Sequence, residues 1–150
     1  MMETRNKLSL VYVVICDDIR WERGDKVSLM GLFDTIHVEK VPAVHPKLVI
    51  VAAWSGATGK YKSEIILESP DGKTSSHLGT ADFTLPDEKR AHRHFAVVYN
   101  WKIQSLGTYQ ALIKLDGNLV RSAPLRIVST GKVQHGLTAE LTSPSGTTVQ

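Results

Sequence analysis

The stretch Tyr61-Lys62-Ser63-Glu64-Ile65-Ile66-Leu67-Glu68 decides the fold class. Tyr61, Ser63, Ile65 and Leu67 fall on one face of an extended chain, and Lys62, Glu64 and Glu68 on the other. A period of two marks a half-buried β-strand, because successive strand side chains point to opposite faces. Pro70-Asp71-Gly72-Lys73 comes next, and Asp-Gly suits the positive-φ positions of a tight hairpin turn. The pattern returns downstream. Tyr109, Ala111, Ile113 and Leu115 share a face opposite Thr108, Gln110 and Lys114, and Asp116-Gly117-Asn118 closes the run. Phe95, Val97, Tyr99, Trp101 and Ile103 also read as one core-facing row.

Working outward, Arg23-Gly24-Asp25-Lys26 reads as a third turn, with Gly56-Ala57-Thr58-Gly59 and Leu106-Gly107 at further joins. Strands are expected over 9–17, 27–38, 47–55, 61–69, 75–84, 93–104, 108–115 and 119–128. A short helical turn fits between Pro86 and Ala91, and no long amphipathic helix appears. About eight short, evenly spaced strands predict an all-β antiparallel sandwich of immunoglobulin-like type. The first strand is apolar on both faces, with Leu10, Tyr12 and Val14 against Val11, Val13 and Ile15. It is therefore central and covered on both sides, or covered on one side by another subunit. The expected organisation is a short lead over 1–8, one domain over 9–128, and a flexible Ser/Thr/Gly-rich tail over 129–150.

The 150 residues make one domain of ordinary size. Hydrophobic residues are 42% and charged residues 22%, which argues against global disorder. One cysteine excludes an intrachain disulfide framework. The net charge of +3 is spread, with acids among the bases at Glu22-Arg23-Gly24-Asp25-Lys26 and Asp87-Glu88-Lys89-Arg90. A nucleic-acid binder concentrates its positive charge on one face. Arg5 and Lys7 before an apolar stretch ending at Cys16 imitate a secretion signal. Bulky Ile15 and the following Asp17-Asp18 do not suit a cleavage site, so a buried strand is the reading. No apolar run reaches the roughly 20 residues of a membrane helix, and a cytoplasmic location is expected.

A narrower likeness lies in the first third. Cys16-Asp17-Asp18-Ile19-Arg20, Gly24-Asp25-Lys26, Ser28-Leu29-Met30-Gly31-Leu32-Phe33-Asp34, Pro42 and Pro46-Lys47-Leu48 resemble a bacterial family of uncharacterised small domains. The resemblance spans about residues 10–55 and implies a β-rich bacterial domain, with no activity attached. The immunoglobulin-like likeness rests on Gly107-Thr108-Tyr109 through Pro124-Leu125-Arg126-Ile127 and carries no function.

The best chemical constellation is Asp17, Asp18, Arg20 and Asp34. A hairpin about Gly24 would bring the acids together, and Arg20 would pair with one carboxylate. Such a corner serves as a structural ion pair, a partner-docking patch or a divalent-metal site. Trp21 at the start of the charged turn is either a contact residue or packs beneath the turn. His92 and His94 stand two residues apart, as zinc ligands can, but a third ligand from His77 or Asp82 is a guess. The alternative is a solvated loop before Phe95. Two aspartates follow Cys16, so its thiol is expected to be a small core side chain. Ile66, Ala96, Val98 and Leu112 on outward faces would form an apolar stripe and mark a symmetric self-association surface. Gly72-Lys73-Thr74 lacks the rest of a phosphate loop, and Arg23-Gly24-Asp25 is a chance tripeptide.

The functional expectation is a non-catalytic protein-binding or assembly module of a bacterial cytoplasm. It would dock a protein partner or self-associate as a homo-oligomer, without cofactor, metal or membrane. Two rival classes stay open. One is an enzyme or metal protein using Asp17, Asp18 and Asp34 or the His92/His94 pair, and the other is a nucleic-acid accessory protein.

Overall fold

The structure, a computed structural model, describes residues 7–130. Most of the expected lead, and all but Ser129 and Thr130 of the expected tail, lie outside the described residues. Nine strands follow in order: β1 (Ser9–Glu22), β2 (Lys26–Leu32), β3 (Thr35–Val38), β4 (Ala43–Ser55), β5 (Gly59–Glu68), β6 (Ser75–Leu85), β7 (Ala91–Ile103), β8 (Gly107–Leu115) and β9 (Asn118–Ser129). They form a sandwich of a four-stranded sheet, β2-β1-β4-β7, and a five-stranded sheet, β3-β9-β8-β5-β6. The expected helical turn after Pro86 is a non-helical turn, in which Asp87 Oδ1 accepts from the Lys89 and Arg90 amides at 2.8 and 3.1 Å.

The expected strand over 27–38 is two strands in different sheets. β2 pairs with β1, and β3 pairs with β9 in parallel, so the second sheet is mixed rather than purely antiparallel. The chain crosses at Phe33-Asp34. There the Phe33 amide donates to Ile15 O of the first sheet at 3.0 Å, and Asp34 O accepts from the Arg126 amide of the second at 2.8 Å. One edge segment thus serves both sheets.

The core follows from the alternation in the sequence. β5 buries Ser63, Ile65 and Leu67, and β8 buries Tyr109, Ala111 and Ile113. β4 is one of the two interior strands of its sheet, and Leu48 through Trp54 are buried on both faces, as a continuous apolar run requires. The β8–β9 turn has φ of 50° at Asp116 and 84° at Gly117, the conformation that Asp-Gly supplies in two-residue hairpins.

Two strands change phase together. On β7, His94 and Ala96 are buried, whereas Tyr99 is 65% exposed and Val97 is 38% exposed. Beyond Asn100, which has φ 52°, Trp101 and Ile103 turn inward again. On β4 the inward row likewise shifts from Leu48, Ile50, Ala52 and Trp54 to Ala43, on the far side of Pro46. The pairing register is unbroken, with His45↔Trp101 and Lys47↔Tyr99 flanking the change. The single core-facing row expected from Phe95 to Ile103 is therefore wrong in its first half. Phe95, Val97 and Tyr99 face outward.

Gly31 sits where β1 and β2 separate from the rest of the sheet. Its φ is 69°, and a Cβ there would stand 2.5 Å from Asp17 Oδ2. An L-residue at positive φ costs roughly 1–2 kcal/mol. Gly31→Ala is expected to lower stability by at least that much. Gly24→Ala, with φ 75° but open space around the new methyl, is expected to cost less. Urea denaturation midpoints of the two variants check the order.

Candidate functional site

β1 is longer than the sheet it belongs to. Its ladder with β4 ends at Cys16↔Val49, and its last residues pair with β2 alone, from Asp18↔Met30 to Glu22↔Lys26. This two-stranded arm lies over the outer face of the four-stranded sheet. Ile19 and Leu29 of the arm pack on Cys16, Val49 and Val51, which are all fully buried although they point away from the main core. Tyr12, Val14 and Phe95 complete this second, smaller core. The both-faces apolarity of the first strand is thus explained within one chain: β1 is central, and the arm covers part of its outer face.

Trp21 is at the far end of the arm. Its ring stands edge-on to Phe95 with centroids 5.2 Å apart and planes at 71°, while the residue stays 69% exposed. Trp21 thus packs on Phe95 of β7 rather than beneath the turn, and most of it is presented to solvent. Val97 and Tyr99 continue the surface along β7 from Phe95. The Lys47 ammonium lies 5.5 Å from the Tyr99 ring centroid and 2.7 Å from Asp18 Oδ1. The outer face therefore presents an exposed aromatic and aliphatic surface with one ion pair. Aromatic side chains of this kind dominate protein contact surfaces.

The expected acidic constellation is not assembled as drawn. Asp18 pairs with Lys47, not with Arg20, and its Oδ1 also accepts from the Ile19 amide at 2.8 Å. Arg20 lies opposite Ser28 in the ladder and acts on Asp18 only at a distance. Asp17 lies against Gly31. Asp34 is beyond the sheet crossing, where its Oδ1 accepts from Thr35 Oγ1 at 2.8 Å. It lines a separate open cleft of about 410 Å³ with Val13, Ile15, Phe33 and Pro124. The reason is the crossing itself, which carries Asp34 toward the other sheet.

The histidines are in the core rather than in a solvated loop. His94 is 5% exposed, and its Nδ1 is 2.8 Å from Ser63 Oγ. Ser63 Oγ in turn accepts from Trp54 Nε1 at 3.0 Å. The indole can only donate, so the single hydroxyl proton of Ser63 is free to go to Nδ1. Donation from Ser63 requires a neutral imidazole with its proton on Nε2, the tautomer in which Nδ1 accepts. Burial, reinforced by His92 and His77, pushes the His94 pKa down from 6.5 to about 4. His92 stacks on Phe83 with centroids 4.2 Å apart, and its Nε2 is buried without a partner. His77 lies across the sheet, within 3.3 Å of Glu64 Oε2 and 3.0 Å of Thr80 Oγ1. Asp82 is opposite Lys62 in the ladder. Among the described residues no group of three or more His, Cys, Asp or Glu is arranged to hold a metal.

The expected apolar stripe is not formed either. Ala96, 2% exposed, and Val98 face the core because of the phase of β7. Ile66 and Leu112 are partly buried cross-strand partners in the other sheet. Lys47, Phe95, Val97 and Tyr99 are the surface residues that sequence reasoning missed. Pro46, a residue without an amide inside a strand, was the available signal of the irregularity.

Residues 11–128 match a family described only as one of unknown function, DUF6941. The chain belongs to the DUF6941 family. The match spans nearly all of the sandwich and agrees with the expectation of an uncharacterised domain. Among curated proteins, none matches this DUF6941 chain. Two solved structures of a β-glucosidase from Listeria innocua, one in complex with isofagomine, are similar at 7% identity with TM-scores of 0.48 and 0.47. The alignment covers 83% of the DUF6941 chain and 16% of theirs, so this chain spans about a sixth of those enzymes' length. At such scores the likeness carries no argument about activity. Among the described residues no helix is long and apolar enough to cross a membrane.

Two outcomes follow for the outer face of this DUF6941 chain. Burial, with the charges of Asp17 and Asp18, raises the Cys16 pKa. Cys16 should therefore resist a thiol reagent in the folded protein and react fully once denatured, as absorbance of the released thiolate reports. The Lys47 hydrogen bond, with help from the Ile19 amide, holds the Asp18 carboxyl below its usual 3.8. The pair therefore contributes above that ordinary value and is lost as pH falls through the lower folded value. NMR titration of Asp18 should show its pKa rising toward the ordinary range in Lys47→Met.

Proposed function

We propose that this chain is a non-catalytic protein-binding module of the cytoplasm. Its contact surface on this reading is the outer face of the four-stranded sheet, with Trp21, Phe95, Val97 and Tyr99 as apolar anchors and Asp18–Lys47 as the polar edge. The supporting observation is Trp21, which is 69% exposed yet held in a fixed edge-on contact with Phe95. An aromatic ordered before contact loses little conformational freedom on binding, and such residues carry most of the energy of protein interfaces. The arm gives the surface a rigid support, because Ile19 and Leu29 bury a small core of their own beneath it. The single free thiol, buried at Cys16, suits a reducing compartment.

The partner is another protein or a second copy of this chain, and one experiment separates them. Sedimentation of the purified protein reads self-association, and capture from the source lysate reads a different partner. Trp21→Ala combined with Tyr99→Ala is expected to abolish whichever association the wild type shows, a loss of at least about 2 kcal/mol at hot-spot positions. Arg23→Ala at the turn should leave it unchanged. Circular dichroism establishes that both variants fold. Association retained in the double variant would contradict the proposal.

A further inference from the structure

β6 and β7 are the edge strands of different sheets, and they meet along one side of the sandwich without a backbone ladder. Side chains alone close this seam. Phe83 of β6 stacks on His92 of β7. Gly79 of β6 lies against His94 and Ala96, so closely that a Cβ there would be 3.3 Å from His94 Nε2. Two histidines, His92 and His94, therefore stand at a contact that no strand pairing reinforces, with His77 on the outer face of β6. We propose that the β6–β7 seam is an acid-sensitive latch, closed while His94 is neutral and opened by its protonation while the rest of the sandwich stays folded.

The chemistry of Ser63 makes the latch one-sided. With His94 neutral and protonated on Nε2, the hydroxyl accepts from Trp54 Nε1 and donates to His94 Nδ1. Protonated His94 carries a proton on both nitrogens and can no longer accept. The fully buried Ser63 hydroxyl then loses its acceptor, and a charge is placed in the core. The titratable groups facing His94 add to the penalty. His92 on its own strand and His77 on β6 both act against a positive charge on His94. Glu64 of β5 stands behind His77 and is engaged with it. From β4, Ala52 pairs with His94 and brings no charge. Opening the seam returns the imidazole to water.

The folded value for His94 is depressed, so its contribution is complete above the ordinary 6.5 and is lost as pH falls toward 4. If the open seam restores the ordinary value, the opening constant rises about 30-fold between pH 7.5 and pH 5. Hydrogen exchange of the full chain at those two pH values, scaled for the intrinsic rate, reads this directly. The expected result is a gain of that order at the amides of Ser75–Leu85 and the turn that follows, with β8 and β9 unchanged. His77→Gln, which removes one like charge from the exposed side of the sheet, should make the gain at pH 5 smaller, because it relieves part of what depresses the folded His94 value. Unchanged protection of β6 at pH 5 would overturn the proposal. So would a simultaneous gain in every strand, which would mean global acid unfolding rather than a latch.

Discussion

Among the described residues, the hydroxyl of Ser63 is the buried polar group that ties the two sheets together inside the core. Ser63 comes from β5 of the five-stranded sheet, and both of its partners, Trp54 and His94, come from the four-stranded sheet. Burying an indole N–H and an imidazole nitrogen costs several kcal/mol if either is left unpaired. One hydroxyl, with one proton and an available lone pair, satisfies both. The apolar residues of the core, such as Ile65, Ile113, Leu125 and Ile127, supply burial in any of several packings. The hydrogen-bonded chain accepts only the packing in which β5 faces β4 and β7 at this register.

Two departures from regular strand geometry then create the outer surface. The first is the joint change of phase at Pro46 and Asn100, which turns Phe95, Val97 and Tyr99 outward while keeping Trp101 and Ile103 inside. The second is the excess length of β1, which carries Ile19 and Trp21 past the end of its ladder with β4 and back over the sheet. The outer face of the opposite sheet instead carries Lys62, Glu64 and Lys114 beside the half-buried Ile66–Leu112 pair. The four-stranded sheet is thus the one with a second layer of apolar contacts, and exposed aromatics at that layer's rim are the reason a binding role is favoured over a catalytic one.

The sequence made most of the sandwich legible because alternation and turn chemistry are local. Ser63, Ile65 and Leu67 on β5, Tyr109, Ala111 and Ile113 on β8, and the Asp71-Gly72 and Asp116-Gly117 turns stand where their pattern put them. The continuous run from Leu48 to Trp54 likewise became an interior strand. What local pattern does not carry is the side of the sheet on which a row ends once a strand changes phase. Phe95 through Ile103 look like one row of alternate apolar residues, and only the inversion at Asn100 splits them. The same holds for 27–38, where Phe33-Asp34 moves the chain from one sheet to the other with no glycine or proline at the crossing itself, Gly31 standing two residues earlier. The candidate site suffered most, since Asp34 left the acidic group by that crossing and Lys47, far in sequence, took the place expected for Arg20. His92 and His94 were readable as a pair, but Ser63, the partner of His94, lies in the other sheet and is visible only in the fold.

The clamp at Ser63 is tested most directly by the protonation state of His94. Nitrogen-15 NMR of the imidazole distinguishes the two neutral tautomers and follows the titration. The prediction is a neutral ring at pH 7 with the proton on Nε2 and Nδ1 unprotonated, titrating near the depressed value of about 4. A proton on Nδ1, or a ring that titrates near its ordinary 6.5, would contradict the clamp and with it the reason the two sheets face each other as they do.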